Sequence, residues 1–153
     1  MRLELPDEAA TRALAEALAG VLPRGQVLVL KGPLGAGKTT LVRHLARALG
    51  FTGRVTSPTY TLMHPYPTPK GTLLHVDLYR LGDPEAAALL GLEEAMEGAY
   101  LTAIEWGEPA WFPGAVVVEL TPKSETAREA LIAAPDPELS ARLSARLRRG
   151  ESP

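Results

Sequence analysis

The sequence contains no cysteine among its 153 residues. Disulfide bonds, zinc sites built on thiolates and a cysteine nucleophile are therefore excluded. The three histidines are scattered along the chain and lack the spacing of metal ligands. Long apolar runs are also missing, since none approaches the roughly 18 residues needed to span a bilayer. The first residues, MRLELPDEAAT, carry acids where a signal peptide needs an apolar stretch, so we expect a cytoplasmic protein without a membrane partner.

The chain also lacks a large excess of positive or negative charge. Lys plus Arg number 16 and Asp plus Glu number 18, which gives a net charge of −2. This balance argues against a protein that binds nucleic acid through bulk charge, but it does not exclude a local basic patch. Hydrophobic residues make up 46% and charged residues 22%, as in an ordinary soluble globular protein. The length predicts one domain.

The order of apolar patterns indicates alternating strands and helices. Apolar, β-branched runs predict strands over 26–31, 72–77, 100–104, 115–120 and 128–133, with a short edge strand near Leu3. Leucines at helical spacing predict a helix after the N-cap Asp7 and another over 38–49. A helix is also expected over 81–95 and a last one over 137–149, with arginines on its polar side. This alternation predicts an α/β fold with a mostly parallel central sheet and helices on both faces.

A proline-rich stretch between residues 57 and 71 interrupts this pattern. Pro65, Pro67 and Pro69 exclude a helix there. The flanking segments, Thr59–His64 and Thr72–Asp77, are predicted to pair as an antiparallel hairpin around the prolines.

A glycine-rich loop between the strand at 26–31 and the following helix carries the strongest functional signal. The segment Gly32–Thr39 matches G-x-x-x-x-G-K-[ST], a chance match of about 0.4% for this composition. We expect the backbone amides around Gly35–Gly37 and the helix N-terminus to cradle phosphates. Lys38 would reach the β- and γ-phosphates, the Thr39 hydroxyl would ligate Mg²⁺, and Thr40 would contact the α-phosphate. Residues 1–134 are thus predicted to form a P-loop NTPase domain, and 135–153 a C-terminal helix and tail that pack on it or trail from it.

Two predicted strands end in acids, Asp77 and Glu105. Ligands of open parallel sheets bind beyond the carboxyl ends of the strands, so both acids can face the phosphates. Asp77 is the candidate Mg²⁺ carboxylate, held directly or through water. Glu105 is a candidate metal ligand or a residue that orients the attacking water. The alternative is that one or both are solvated loop acids.

Thr59, Trp106 and Arg80 each allow two interpretations of their role. Thr59 is either a switch residue that senses the γ-phosphate and Mg²⁺ or a polar residue at a strand start. Trp106 either belongs to the core or stacks on a base or partner. His75 shares a strand face with Asp77 and is expected to hold that carboxylate. Arg80 either binds phosphate or a partner, or forms a surface ion pair.

Two missing patterns narrow the chemistry. No N/T-K-x-D segment for guanine recognition occurs, which favours ATP over GTP. Small-molecule kinases with this loop need an arginine-rich lid, yet residues 82–100 contain no arginine. An ATPase, a small-molecule or nucleotide kinase, and a nucleotide-binding regulatory protein with little turnover remain the three candidate functions.

Four segments in this order resemble one family. They are GPLGAGKTT at 32–40, VTSPTYTL at 55–62, HVDLYRL at 75–81 and IEWGE at 104–108. Together they are similar to the small bacterial ATPases called TsaE (formerly YjeE), which are required for the threonylcarbamoyl modification of adenosine in certain tRNAs. The resemblance spans residue 3 to about residue 133.

The resemblance implies roles for individual residues. Lys38, Thr39 and Thr40 would carry ATP and Mg²⁺, Asp77 and Glu105 would take the acidic roles, and Thr59 would lie in a switch-like loop. Thr11 and Arg128 match positions close to the nucleotide. Pro33 stands where the family often has Asp, in the variable part of the loop.

The resemblance also implies partners. A protein of this kind binds a pair of proteins, TsaB with TsaD, and hydrolyses ATP to cycle that complex. It would meet tRNA only indirectly, through the complex. Intrinsic turnover is expected to be slow because no obvious arginine finger is present in cis, with Arg80 as a candidate exception.

Overall fold

The computed structural model describes residues 1–55, 63–79 and 91–151. Its strands are β1 (Arg2–Leu5), β2 (Gln26–Lys31), β3 (Met63–Thr68), β4 (Gly71–Asp77), β5 (Leu101–Glu105), β6 (Val116–Pro122) and β7 (Arg128–Ala133). Its helices are α1 (Glu8–Val21), α2 (Lys38–Ala48), α3 (Leu92–Glu97) and α4 (Pro137–Glu151), with a short 3-10 turn at Pro109–Trp111. Within these ranges no helix is long and apolar enough to cross a membrane.

The strands form one seven-stranded sheet in the order β1-β7-β6-β2-β5-β4-β3. The four central strands, β6, β2, β5 and β4, are parallel, whereas β3, β7 and β1 pair antiparallel at the two edges. β2 and β5 are buried along most of their length, which explains why their sequences read as continuous apolar runs. The predicted α/β class with a parallel centre and an antiparallel hairpin is confirmed.

The long helices lie together on one face of the sheet. Asp7 caps α1 by accepting a hydrogen bond from the Ala10 amide at 2.9 Å, as its position before the helix predicts. α1, α2 and α4 share one core with the sheet, to which α4 contributes Leu139 and Leu143. On the opposite face, α3 and the 3-10 turn cover a smaller cluster around Val76 and Ile104. Helices therefore flank the sheet on both sides.

The hairpin differs from the prediction in its prolines, which were expected to lie between the two strands. The described strand β3 begins at Met63 and runs through Pro65 and Pro67, whereas residues 59–62 of the predicted strand lie outside the described residues. Pro65 and Pro67 are two residues apart on an edge strand, so their backbone nitrogens lie on the same side of β3. We expect that side to face away from β4, because a proline there costs the sheet no hydrogen bond. The turn lies at residues 69–70. Residues 56–62 and 80–90, including most of the helix predicted over 81–95, lie outside the described residues.

Candidate nucleotide site

The loop between β2 and α2 has the backbone of a phosphate cradle. Gly32 has φ +142°, and a Cβ there would lie 2.5 Å from the Leu120 carbonyl oxygen, so only glycine fits against β6. Gly37 adopts φ +103° directly before α2 begins at Lys38. The amides of the first turn of α2 have no carbonyl partner within the helix, and they lie at the positive end of its dipole. This end of α2 can therefore bind an anion.

Arg128 holds the loop from the neighbouring edge of the sheet. Its Nε donates to the Ala36 carbonyl at 2.9 Å, and its Nη2 lies 3.4 Å from the Gly35 carbonyl oxygen. Nη1 donates to the carbonyls of Ser124 and Ala127 in the β6–β7 turn. The family resemblance implies that Arg128 lies near the nucleotide, and the structure places its guanidinium on the backbone of the loop that would bind it.

Lys38 is buried, with 4% of its surface exposed. Its Nζ donates to the Gly32 carbonyl at 2.7 Å, which ties the start of α2 to the start of the loop. Burial lowers the pKa of Lys38, and the negative charges of Glu105 and Asp77 partly offset this shift. The ammonium is thus held at the Gly32 carbonyl, within the electrostatic influence of two carboxylates.

The two acids at the strand ends are neighbours. β4 and β5 are parallel and in register, so that Asp77 lies beside Glu105. Glu105 is buried. Its Oε2 accepts a hydrogen bond from the Thr39 hydroxyl at 3.1 Å. The structure therefore brings Lys38, Thr39, Asp77 and Glu105 to the carboxyl edge of the sheet, as the sequence predicts.

His75 contacts a different acid from the one expected. The prediction that it holds Asp77 is wrong as to the partner, because its Nε2 lies 2.5 Å from Glu105 Oε2. The side chain of His75 points toward the adjacent strand β5, whereas Asp77 lies two residues further along the same strand. The His75 ring is fully buried. The sequence offers no signal for this pair, since it depends on the register of β4 against β5.

Asp77 remains partly accessible at the end of β4. Its Oδ1 accepts a hydrogen bond from the Tyr79 amide at 2.9 Å. Burial raises the pKa of Asp77, and the charge of Glu105 raises it further, whereas the Tyr79 amide, His75 and Lys38 lower it. A bound cation would favour the charged form of this carboxylate.

Trp106 covers the ammonium of Lys38. Lys38 Nζ lies 3.4 Å from the centroid of the indole ring, a cation–π contact. Trp106 has φ +64°, a left-handed backbone that a bulky side chain rarely adopts. The edge of the site is completed by Tyr79, whose ring centroid lies 4.9 Å from that of Trp106. Trp106 is half-buried over Lys38 and belongs to neither described core cluster. Its stacking on a base or a partner stays a prediction.

The donor set fits Mg²⁺ bound together with phosphates. Among the described residues, no three His, Asp or Glu side chains form a ready-made metal site. Mg²⁺ is usually held by one or two carboxylates and by oxygens of the substrate's phosphates. Asp77, Glu105 and the Thr39 hydroxyl supply that kind of partial oxygen set beside an anion-binding helix N-terminus.

The other predicted residues are less informative. Thr40 is half-buried in the first turn of α2, and Thr11 is buried in α1. Thr59 and Arg80 lie outside the described residues. Roles for these residues stay predictions.

Comparison with known proteins identifies the family of this chain. A family model described as "Threonylcarbamoyl adenosine biosynthesis protein TsaE" matches residues 5–130. A relative from Synechocystis, "tRNA threonylcarbamoyladenosine biosynthesis protein TsaE", is 44% identical over 71% of this chain and 71% of its own. A relative of the same description from Aquifex aeolicus is 44% identical over 68% of this chain and 74% of its own.

A solved structure has the same architecture. The crystal structure of YdiB from Bacillus subtilis superposes with a TM-score of 0.78 at 27% identity, covering 99% of this chain and 96% of that one. With the family match over most of the chain and relatives above 40% identity, the chain belongs to the TsaE family of tRNA threonylcarbamoyladenosine biosynthesis.

Proposed function

We propose that this chain is a Mg²⁺-dependent ATPase that serves tRNA threonylcarbamoyladenosine modification as an accessory protein, acting in the cytoplasm. The observation that carries the proposal is the convergence of the Lys38 ammonium, the Thr39 hydroxyl and two neighbouring carboxylates at one helix N-terminus. This set matches what phosphoryl transfer to water needs: anion binding, cation binding and a group that orients the nucleophile.

ATP binding is assigned to the loop and the start of α2. The amides of residues 35–40 would surround the phosphates, since Gly35 and Gly37 have no side chain that blocks their approach. The Lys38 ammonium would exchange its 2.7 Å hydrogen bond to the Gly32 carbonyl for bonds to phosphate oxygens. Arg128 keeps the loop in shape through the Ala36 carbonyl.

Hydrolysis is assigned to the acids. Thr39 and Asp77 would hold the Mg²⁺, which when bound would neutralise charge on the β- and γ-phosphates. Glu105 accepts the Thr39 hydroxyl and is fixed by His75, so its carboxylate can orient a water molecule for attack. His75 is a positioning residue, because it acts through Glu105.

A protein partner is supported by the apolar groups around the mouth of the site. Leu34 at the tip of the loop is 89% exposed, and Tyr79 beside Asp77 is 67% exposed. Exposed large apolar side chains next to a catalytic site are typical of a contact surface. We propose that the TsaB and TsaD pair docks here and reads the nucleotide state.

A phosphate-acceptor assay tests the reaction class. With ATP, Mg²⁺ and the partner pair, we expect phosphate to be released to water. A phosphorylated small molecule would favour the kinase reading and contradict ours, and the absence of partner-stimulated turnover would favour a regulatory nucleotide-binding protein. The Glu105→Gln variant should bind ATP but lose partner-stimulated turnover about 100-fold or more, and turnover at the wild-type rate would remove Glu105 from the chemistry.

A further inference from the structure

A second polar cleft lies at the opposite end of α2 from the phosphate loop. It has a volume of about 550 Å³. It is formed by α1, α2, α4 and the turn between β3 and β4, and its lining includes five basic or potentially basic side chains: Arg12, His44, Arg47, Lys70 and Arg146. We call these five residues the basic cleft. Arg47 follows Lys38 by nine residues on the helix, or about 13 Å along its axis, so the basic cleft is distinct from the nucleotide site.

The positive charge of the basic cleft is mostly uncompensated. Its lining includes one acid, Glu16, which already accepts a hydrogen bond from Arg12 Nε at 2.8 Å. Within the part of the chain that the structure describes, Arg47, Lys70 and Arg146 pair with no carboxylate. In a chain with a net charge of −2, this is a local concentration of positive charge that the overall composition conceals.

Gly20 lets Arg146 of α4 lie against α1. A Cβ on Gly20 would come within 2.6 Å of Arg146 Cζ, and all three nearest atoms belong to that guanidinium. Arg146 is exposed, and its guanidinium lies against the backbone of α1 in the wall of the basic cleft. The planar fork of donors is thereby presented to the basic cleft, in the form that recognises phosphate oxygens.

The other residues that line the basic cleft indicate which kind of ligand it binds. Ala19, Gly20 and Ala48 are its apolar residues, and no aromatic ring is present. Unstacked bases need aromatic platforms, and protein hot spots need large apolar or aromatic anchors. Arginines and lysine without such anchors match the charged backbone of a base-paired nucleic acid, which is contacted through phosphates alone.

We propose that the basic cleft binds the phosphodiester backbone of structured RNA. The choice of RNA rests on the family's pathway, whose substrate is tRNA, and not on ATP hydrolysis. The contact would be direct, in contrast to the indirect contact that the sequence and its resemblance imply. Binding would be independent of base sequence and strongly salt-dependent.

Fluorescence anisotropy with a labelled, unmodified tRNA transcript and the full chain, without nucleotide, tests the proposal. The Arg47→Gln/Lys70→Gln variant removes two exposed cations of the basic cleft. We expect about tenfold weaker binding and a salt slope reduced by about two. The matched control, Arg2→Gln/Lys123→Gln, removes the same charge from the β1 edge strand and the β6–β7 turn, and should bind like the wild type. Thermal melting verifies that both variants are folded.

Several outcomes would overturn the proposal. The first is that the wild type does not bind the transcript at low salt, and the second is that both double variants lose the same amount of RNA affinity. The third is that pyrophosphate displaces the transcript at equal phosphate concentration, which would indicate a small-anion site. Loss of binding to the partner proteins with unchanged RNA affinity would instead assign the basic cleft to an acidic protein surface. ATP turnover measured without RNA distinguishes RNA binding by the basic cleft from the proposed ATPase function. The Arg47→Gln/Lys70→Gln variant should retain this turnover.

Discussion

His75 Nε2 and Glu105 Oε2 meet at 2.5 Å in the core, where β4 and β5 run side by side. The same oxygen also accepts from the Thr39 hydroxyl. The catalytic candidate Glu105 is therefore oriented from both sides, by the sheet and by α2.

Substitution of His75 should lower ATP turnover without weakening ATP binding. His75→Ala leaves the buried Glu105 without its ring partner, so we expect a loss of about 2–4 kcal/mol in the free energy of unfolding. Turnover should fall more than tenfold while ATP affinity changes little, because the loop is untouched. His75→Gln, which retains a side-chain N–H donor, should restore part of the turnover. A double-mutant cycle with Glu105→Gln should give a coupling energy of about 1–3 kcal/mol, and additive effects would contradict the pairing.

Lys38→Ala should abolish ATP binding at ordinary nucleotide concentrations. The substitution removes the only ammonium at the centre of the described loop, which is held there by the Gly32 carbonyl. We expect at least about 100-fold weaker affinity by calorimetry. Lys123→Ala, at an exposed position in the β6–β7 turn, is the matched control and should bind ATP normally. Unchanged affinity in Lys38→Ala would refute the phosphate-loop assignment.

Arg128→Gln should loosen the phosphate loop without removing a phosphate contact. Its guanidinium bridges the Ala36 carbonyl and the β6–β7 turn, and glutamine is too short to reach both. We expect ATP to bind roughly tenfold more weakly, with a smaller effect on turnover at saturating ATP. Loop amides should exchange hydrogen faster in the variant than in the wild type. Unaltered exchange would show that the loop holds its shape without Arg128.

Trp106 should report nucleotide binding by its fluorescence. The centroid of its ring lies 3.4 Å from Lys38 Nζ, and we expect that ammonium to turn to the phosphates when ATP binds. The chain has two tryptophans, so Trp111→Phe leaves Trp106 as the only emitter. We expect its emission to change on addition of ATP and Mg²⁺, and to stay constant when Lys38→Ala is added to the background. An identical spectrum at saturating ATP would mean that the ring stays in place.

Asp77→Asn should stabilise the nucleotide-free protein at neutral pH. Burial raises the pKa of Asp77 above its unfolded value, so the folded state holds this proton more tightly than the unfolded state does. The stability that the protonated carboxyl contributes is present below the unfolded pKa and is lost as the pH rises through the folded pKa. Above that range the charged carboxylate is a cost, which asparagine removes.

Melting temperatures across pH, without Mg²⁺, check this prediction. The variant should melt above the wild type at neutral pH, and the difference should vanish toward the ordinary carboxyl pKa of about 4. Mg²⁺-dependent turnover should be lost in the same variant, as expected where a site is maintained at the expense of stability. A variant that melts below the wild type at neutral pH would contradict the argument.

Local patterns in the sequence were sufficient for most of the fold. The alternation of strands and helices, the Asp7 cap and the strand–loop–helix unit around Lys38 all follow from periodicity and turn chemistry between neighbours in the chain. The prolines were expected between the hairpin strands, yet Pro65 and Pro67 lie within β3, because proline excludes helix but is tolerated on an edge strand. The acids Asp77 and Glu105 could be located since strand ends share one edge of a parallel sheet.

Contacts between distant parts of the chain were decided by the tertiary structure alone. His75 meets Glu105 through the register of two parallel strands, and Arg128 reaches Ala36 across 92 positions. The basic cleft gathers five basic or potentially basic side chains from three helices and one turn. By itself the sequence determined the elements and the phosphate loop, because these depend on neighbours along the backbone. The partners of each buried or charged side chain depend on how the elements pack, which periodicity does not specify.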